Sequence, residues 1–98
     1  MSDASTPGLQ VHYLEERSRY EGHLDGRLTT VVDVRRQGDV LVVTHTGTEP
    51  EFRGQGLAGR TTEQMLADVR ARGLKVEPLC PFTVDYFRTH PEVADLRA

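Results

Sequence analysis

Apolar and polar positions alternate with a two-residue period along much of the first half of the chain. Leu28, Thr30, Val32 and Val34 alternate with the residues between them, as in a strand that exposes one face. Residues 40–46 (VLVVTHT) are β-branched or apolar on both faces, which predicts a central strand covered on both sides. A weaker strand is predicted at residues 10–15, and Asp25-Gly26 and Gly38-Asp39 are typical hairpin turns. The first half is therefore predicted to be an antiparallel meander.

The period changes at Leu57. Apolar residues then recur at three- and four-residue steps, which predicts an amphipathic helix that ends at Gly73 in a left-handed cap. A short strand at residues 75–79 follows, and Pro81 begins a second helix whose Phe82, Tyr86 and Phe87 we expect in the core. The predicted order is β-β-β-α-β-α, an α/β fold in which a helical crossover joins two parallel strands.

Length and composition limit the possible architectures and partners. The 98 residues allow one domain, predicted at residues 9–98 behind a flexible tail at residues 1–8. A net charge of −3 disfavours nucleic acid, and no apolar run is long enough for a membrane helix. The single cysteine and the lack of a secretory signal predict a cytoplasmic protein, which we expect to be a monomer or a weak homodimer.

Three glycines, Gly54, Gly56 and Gly59, cluster where the long helix begins. The unpaired amides of a helix start and the helix dipole attract anions, and small residues let a phosphate approach the backbone. Arg53 and Arg60 add positive charge. The segment therefore predicts a site for a phosphate-bearing ligand, although glycines can also simply form a turn.

Two other nucleotide-binding patterns fit this segment less well. The glycines match G-x-G-x-x-G, but the polar residues 47–53 separate them from the strand, and the chain is short for a doubly wound sheet. A Walker loop would need Lys-Ser/Thr where Arg60-Thr61 stands.

The segment Arg53-Gly54-Gln55-Gly56-Leu57-Ala58 resembles the R/Q-x-x-G-x-G/A signature of the GNAT acetyltransferase superfamily. That resemblance implies a truncated GNAT-like fold that binds acetyl-coenzyme A. The implied cofactor-binding residues are Thr46, Arg53, Gly54, Gln55, Gly56, Leu57, Ala58 and Arg60.

The chain is also similar to very short, single-domain GNAT-like proteins. They share H-T, E-P-x-x-R-G-x-G-L-A, P-x-C-P-F/Y and H-P-E, which correspond here to His45-Thr46, Glu49 to Ala58, Pro78 to Phe82, and His90 to Glu92. These motifs cover residues 40–92. Such proteins lack the N-terminal helices that help larger GNAT enzymes to bind their acceptors.

Two residues are candidate catalytic groups. Cys80 precedes Pro81 and is predicted to lie at a helix N-cap, where the helix dipole favours a thiolate; the alternative is a buried, inert cysteine. His45, at the open end of the central strand, can act as a base or position the substrate. Glu49 and Glu51 can accept a proton through water, although loop carboxylates are more often simply solvated.

The predicted reaction is acetyl transfer to an amine, in a small molecule or a protein. The amine attacks acetyl-coenzyme A directly or receives the acetyl group from Cys80. The alternative is a non-catalytic module that binds coenzyme A to sense acyl-coenzyme A or to dock on a partner.

Overall fold

The computed structural model describes residues 8–98. The predicted tail at residues 1–8 thus lies outside the described residues, except for Gly8. The strands are β1 (Leu9–Leu14), β2 (Arg19–Leu24), β3 (Arg27–Gln37), β4 (Val40–Thr48) and β5 (Lys75–Pro78), and the helices are α1 (Leu57–Ala71) and α2 (Pro81–Thr89). Short 3-10 turns lie at Glu15–Arg17, Pro50–Phe52 and Pro91–Leu96.

The five strands form one sheet in the order β1-β2-β3-β4-β5. The first four pair antiparallel, and β5 joins β4 in parallel after the crossover through α1. This arrangement confirms the α/β fold class, the meander and the parallel pair.

The predicted order was wrong in one respect, because four strands rather than three precede α1. The additional strand is β2, which pairs with β1 on one side and β3 on the other. Its core-facing positions include Gly22 beside Tyr20, while Arg19, Glu21 and His23 occupy the other parity. A glycine on the inner face hides the apolar alternation that marks a strand.

The turns follow the sequence prediction. Asp25 and Gly26 both have positive φ, 48° and 78°, as a two-residue hairpin loop requires. Gly38 has φ 61° between β3 and β4. Gly73, with φ 72°, follows α1 and stops the helix.

The core lies between the sheet and the helices. It contains the buried residues Tyr20, Val32, Val34, Leu41, Val43, Met65, Leu66, Val69, Leu74, Val76, Cys80, Tyr86, Phe87 and Leu96. Tyr20 is completely buried, and its hydroxyl donates to Oδ2 of Asp68 at 2.6 Å, which fixes α1 over β2. Tyr86 and Phe87 lie in the core as predicted, but Phe82 does not, because the residue is 39% exposed.

The outer edge of β5 is partly occupied by the last residues of the chain. Val76 forms a parallel bridge with Arg97, and the Ala98 amide donates to the Val76 carbonyl at 2.7 Å. After the 3-10 turn at Pro91–Leu96, the chain thus returns to the edge of the sheet.

Candidate active site at the strand divergence

The site begins where β4 and β5 separate. Their pairing ends at Val43 and Pro78, although β4 continues to Thr48. The Val43 carbonyl accepts hydrogen bonds from the amides of Leu79 at 2.9 Å and Cys80 at 3.1 Å. Beyond this carbonyl the residues of β4 have no β5 partner, so the sheet opens into a cleft.

An irregularity in β4 decides which side chains face the helices. Val34 pairs with Val43 and Asp33 with His45, so Thr44 is an extra residue in β4. Thr46 pairs with Val32 of the core and therefore lies on the helix side of the sheet. His45 is exposed and, paired with Asp33, lies on the opposite face.

The glycine loop provides an open helix start. Gly54 and Gly56 have φ of 79° and 73°, and Gly56 is the N-cap of α1. No described side chain caps this helix start. A β-carbon at Gly54, Gly56 or Gly59 would meet no described atom within 4 Å. The backbone of this loop is therefore accessible to an anion attracted by the helix dipole.

Arg53 and Arg60 flank the glycine loop. The exposed Arg53 donates through Nε to the Thr48 carbonyl at 3.2 Å, which holds the side chain between the end of β4 and the loop. Arg60 is half-buried in the first turn of α1. The two arginines that are predicted to contact phosphate thus lie beside the open amides of the helix start.

A cavity of about 360 Å³ lies between the first turns of α1 and the length of α2. Its walls include Gly56, Gly59, Arg60, Phe82, Tyr86 and His90. The rings of Tyr86 and His90 stack with centroids 3.8 Å apart. The exposed side chain of Phe82 thus contributes to a cavity wall beside the glycine loop.

The two loop glutamates are placed differently. Glu51 forms an exposed ion pair with Arg27, whose guanidinium carbon also lies 5.2 Å from the centre of the Phe52 ring. The amide of Glu49 donates to the Thr29 carbonyl at 2.8 Å, and its side chain is exposed. Glu51 therefore holds the loop against β3 through Arg27.

Cys80 is the N-cap of α2 and is 6% exposed. Burial raises the pKa of its thiol, but the neighbouring donors, in order the Thr83 amide, the Thr46 hydroxyl, the Phe82 amide and the Thr83 hydroxyl, together lower the pKa below its ordinary value. Neither hydroxyl has a partner of strict hydrogen-bond geometry among residues 8–98. Because a hydroxyl hydrogen rotates to suit its acceptor, both remain donors for a charged sulfur.

The structure thus brings Cys80 and Thr46 together and leaves His45 on the other face of the sheet. Within residues 8–98 there is no group of three or more His, Cys, Asp or Glu side chains that could hold a metal ion. No helix in that range is long and apolar enough to cross a membrane.

Residues 19–96 match the family model of the GCN5-related N-acetyltransferases. The chain belongs to this family. The match begins with β2 and includes both the glycine loop and Cys80. No curated protein matches the chain.

Solved structures show where the acetyltransferase fold recurs. A GCN5-like protein from Staphylococcus aureus, solved by NMR, superposes with a TM-score of 0.69 at 18% identity, covering 95% of this chain and 91% of that one. The ribosomal-protein-S18-alanine N-acetyltransferase of Escherichia coli gives 0.60 at 10% identity, over 88% of this chain and 54% of that one.

The N-acetylglutamate synthase of Neisseria gonorrhoeae, in complex with coenzyme A and N-acetyl-glutamate, gives a TM-score of 0.57 at 19% identity. That match covers 83% of this chain but only 21% of the synthase. The likeness at these identities concerns the fold.

One residue of the candidate site was not predicted from the sequence. Thr83 is completely buried, three residues after Cys80, and its amide and hydroxyl both approach the sulfur. The available signal was its spacing, because the third residue after an N-cap directs its amide back toward the cap.

Proposed function

We propose that this chain transfers an acetyl group from acetyl-coenzyme A to an amine. The main support is the open start of α1, where Gly54 and Gly56 adopt the left-handed conformation and leave the backbone unobstructed. Family membership favours acetyl-coenzyme A as the ligand of this site.

The residues present fit such a cofactor. We assign its pyrophosphate to the amides of Gly54 to Ala58, with Arg53 and Arg60 adding charge-assisted contacts. The cavity of about 360 Å³ beside Gly56 is large enough for part of a nucleotide, and Phe82 offers it an aromatic surface. Thr46 lies beside Cys80, near the end of the strand that leads into this loop.

Bound acetyl-coenzyme A supplies an activated acetyl thioester. Cys80, with its lowered thiol pKa, is placed to attack as a thiolate. The carbonyl–sulfur bond of the thioester breaks, Cys80 becomes S-acetylated, and coenzyme A leaves as a thiolate. An amine then attacks acetyl-Cys80, the cysteine thiolate is restored, and the proton of the amine passes to coenzyme A.

His45 is our candidate for the group that carries this proton. It lies on the opposite face of the sheet from Thr46, but at the part of β4 that no longer pairs with β5. We propose that the amine enters from the His45 side, through the opening where β4 no longer pairs with β5. Direct attack by the amine on the thioester remains the alternative to acetyl-Cys80.

The test compares Gly56→Ala with Gly38→Ala. Both glycines have positive φ, 73° and 61°, and open space at the β-carbon, so both alanines carry a similar backbone strain of about 1–2 kcal/mol. Only Gly56 lies at the start of α1. In calorimetric titrations we expect Gly56→Ala to lose coenzyme A affinity by roughly tenfold or more and Gly38→Ala to bind as the wild type does.

Equal affinity in all three proteins would reject the glycine-loop site. Turnover is then followed as release of free thiol from acetyl-coenzyme A with a panel of small amines and a lysine peptide. Release that rises with one amine identifies the acceptor class. Binding without turnover would instead indicate a coenzyme A-binding module.

A further inference from the structure

Two buried hydroxyls converge on the thiol sulfur of Cys80 from different elements. Thr83 belongs to α2 and is completely buried, and Thr46 belongs to β4 and has a buried Oγ1. Neither hydroxyl has a hydrogen-bond partner of strict geometry in the described part of the chain. A buried donor without an acceptor is costly, and because these two hydroxyls lie beside Cys80, a state of the sulfur that accepts from them is favoured.

That state is the ionised form of Cys80. A neutral thiol is a weak acceptor, whereas a thiolate accepts several hydrogen bonds and gains from each of them. The amides of Phe82 and Thr83 approach the same sulfur from the first turn of α2. Four donors from two elements thus surround a position that suits a negative charge.

We propose that Thr83 and Thr46 form a thiolate cage, which with the amides of Phe82 and Thr83 holds Cys80 ionised, and that Thr83 is the positioning residue of this cage. The role of this thiolate rests on the proposed acetyl transfer, whereas the titration that tests for the thiolate does not depend on acetyl transfer. Burial alone would keep the sulfur protonated, so the cage is what makes this buried cysteine a nucleophile.

The chain contains its own control for a purely structural effect. Thr61 of α1 is also completely buried, and its Oγ1 likewise has no partner among residues 8–98. It faces Gly22 of β2 rather than the sulfur. Thr61→Val therefore removes a comparable buried hydroxyl while leaving the cage intact.

Cys80 is the only cysteine, so the thiolate can be titrated directly. Ultraviolet absorbance of the thiolate is followed against pH, with Cys80→Ser as the blank, and the pH dependence of iodoacetamide alkylation gives a second midpoint. The titratable side chains on neighbouring elements stay unchanged in every variant: His45, Glu63, Glu77, Asp85 and Tyr86.

We expect Thr83→Val to raise the titration midpoint by about one pH unit, because one donor to the charged form is lost. Thr83→Ser keeps the hydroxyl and should retain the wild-type midpoint, and Thr61→Val should retain it as well. If Thr83→Val does not fold, Thr46→Val removes a donor from β4 and should raise the midpoint in the same direction.

The proposal is overturned if Thr83→Val and Thr46→Val both titrate as the wild type does. It is also overturned if Thr61→Val shifts the midpoint as far as Thr83→Val does. These titrations contain no coenzyme A, so a failure of the proposed function appears separately, as absent coenzyme A binding. In an active enzyme, Thr83→Val should lose rate at neutral pH and recover it as the pH rises.

Discussion

A β-carbon placed on Gly22 would lie 2.8 Å from Oγ1 of Thr61. Contacts this short do not occur between a real β-carbon and its neighbours. Glycine at this position of β2 is therefore what allows α1 to approach the sheet closely, above a surface that also includes the buried Thr29 and Thr30.

We expect Gly22→Ala to lower the free energy of unfolding by about 1–3 kcal/mol, because the added methyl forces Thr61 or α1 to move. Chemical denaturation measures the change. Gly47→Ala is the matched strand control: its β-carbon would lie 3.1 Å from Nε2 of the exposed His45, which can rotate away. Thr61→Ala should recover part of the loss in the Gly22→Ala background but not in Gly47→Ala. Additive effects of Gly22→Ala and Thr61→Ala would contradict the steric explanation.

Glu21 makes the stability of the fold depend on pH in the acid range. Glu21 is 4% exposed, and its carboxylate accepts hydrogen bonds from Arg19 Nε at 2.7 Å and Arg17 Nη1 at 3.2 Å, with Nε2 of His23 at 3.4 Å. Burial raises the pKa of Glu21, but the hydrogen bond and charge of Arg19, followed by those of Arg17, lower it below the ordinary value of 4.5.

Because the folded-state pKa is the lower one, this stabilisation is complete above the ordinary value and is lost as the pH falls through the folded-state pKa. Glu21→Gln should therefore unfold at a lower denaturant concentration at pH 7, with a free energy of unfolding that is lower by about 1–2 kcal/mol. The difference from the wild type should shrink as the pH falls below the ordinary value. A difference that stays constant through the acid range would show that the charge of Glu21 contributes nothing.

Arg53 is expected to contact the pyrophosphate, since its Nε bond to Thr48 holds it beside the glycine loop. Arg53→Gln should weaken coenzyme A and 3′-dephospho-coenzyme A equally, by about tenfold, in calorimetric titrations. Arg36 is a close control, because it is also exposed and donates through Nε to a backbone carbonyl, that of Gly38, at 2.9 Å. Arg36→Gln should leave both affinities unchanged. A loss confined to coenzyme A would instead assign Arg53 to the 3′-phosphate.

The covalent route predicts an acetylated protein. Incubation with acetyl-coenzyme A and no amine should add one acetyl mass at Cys80, which hydroxylamine removes. Cys80→Ala should lose both the adduct and the turnover. Cys80→Ser tests capping, since its hydroxyl can cap α2 but is a far weaker nucleophile. Turnover that persists in Cys80→Ser, with no adduct on the wild type, would favour direct attack by the amine.

Most of the fold could be predicted from local sequence patterns. The alternation in β3, the glycine turns and the Pro81 helix start act within a few residues, so the sequence specified them directly. β2 was not predicted because the close approach of α1 requires glycine at position 22, and this contact joins residues far apart in the chain. The same limit applies to the site. Cys80 was recognisable as an N-cap, but the extra residue Thr44, which places Thr46 and His45 on opposite faces, is a property of pairing with β3.

The return of the chain to Val76 also affects how copies of this protein can meet. An unpaired sheet edge is a template for strands of other molecules. At β5 that template is short, and Arg97 and Ala98 already occupy part of it. The longer edge in the described residues is β1, with six residues, so intermolecular strand pairing, and with it edge-driven aggregation, is directed to the end of the sheet farthest from the cleft.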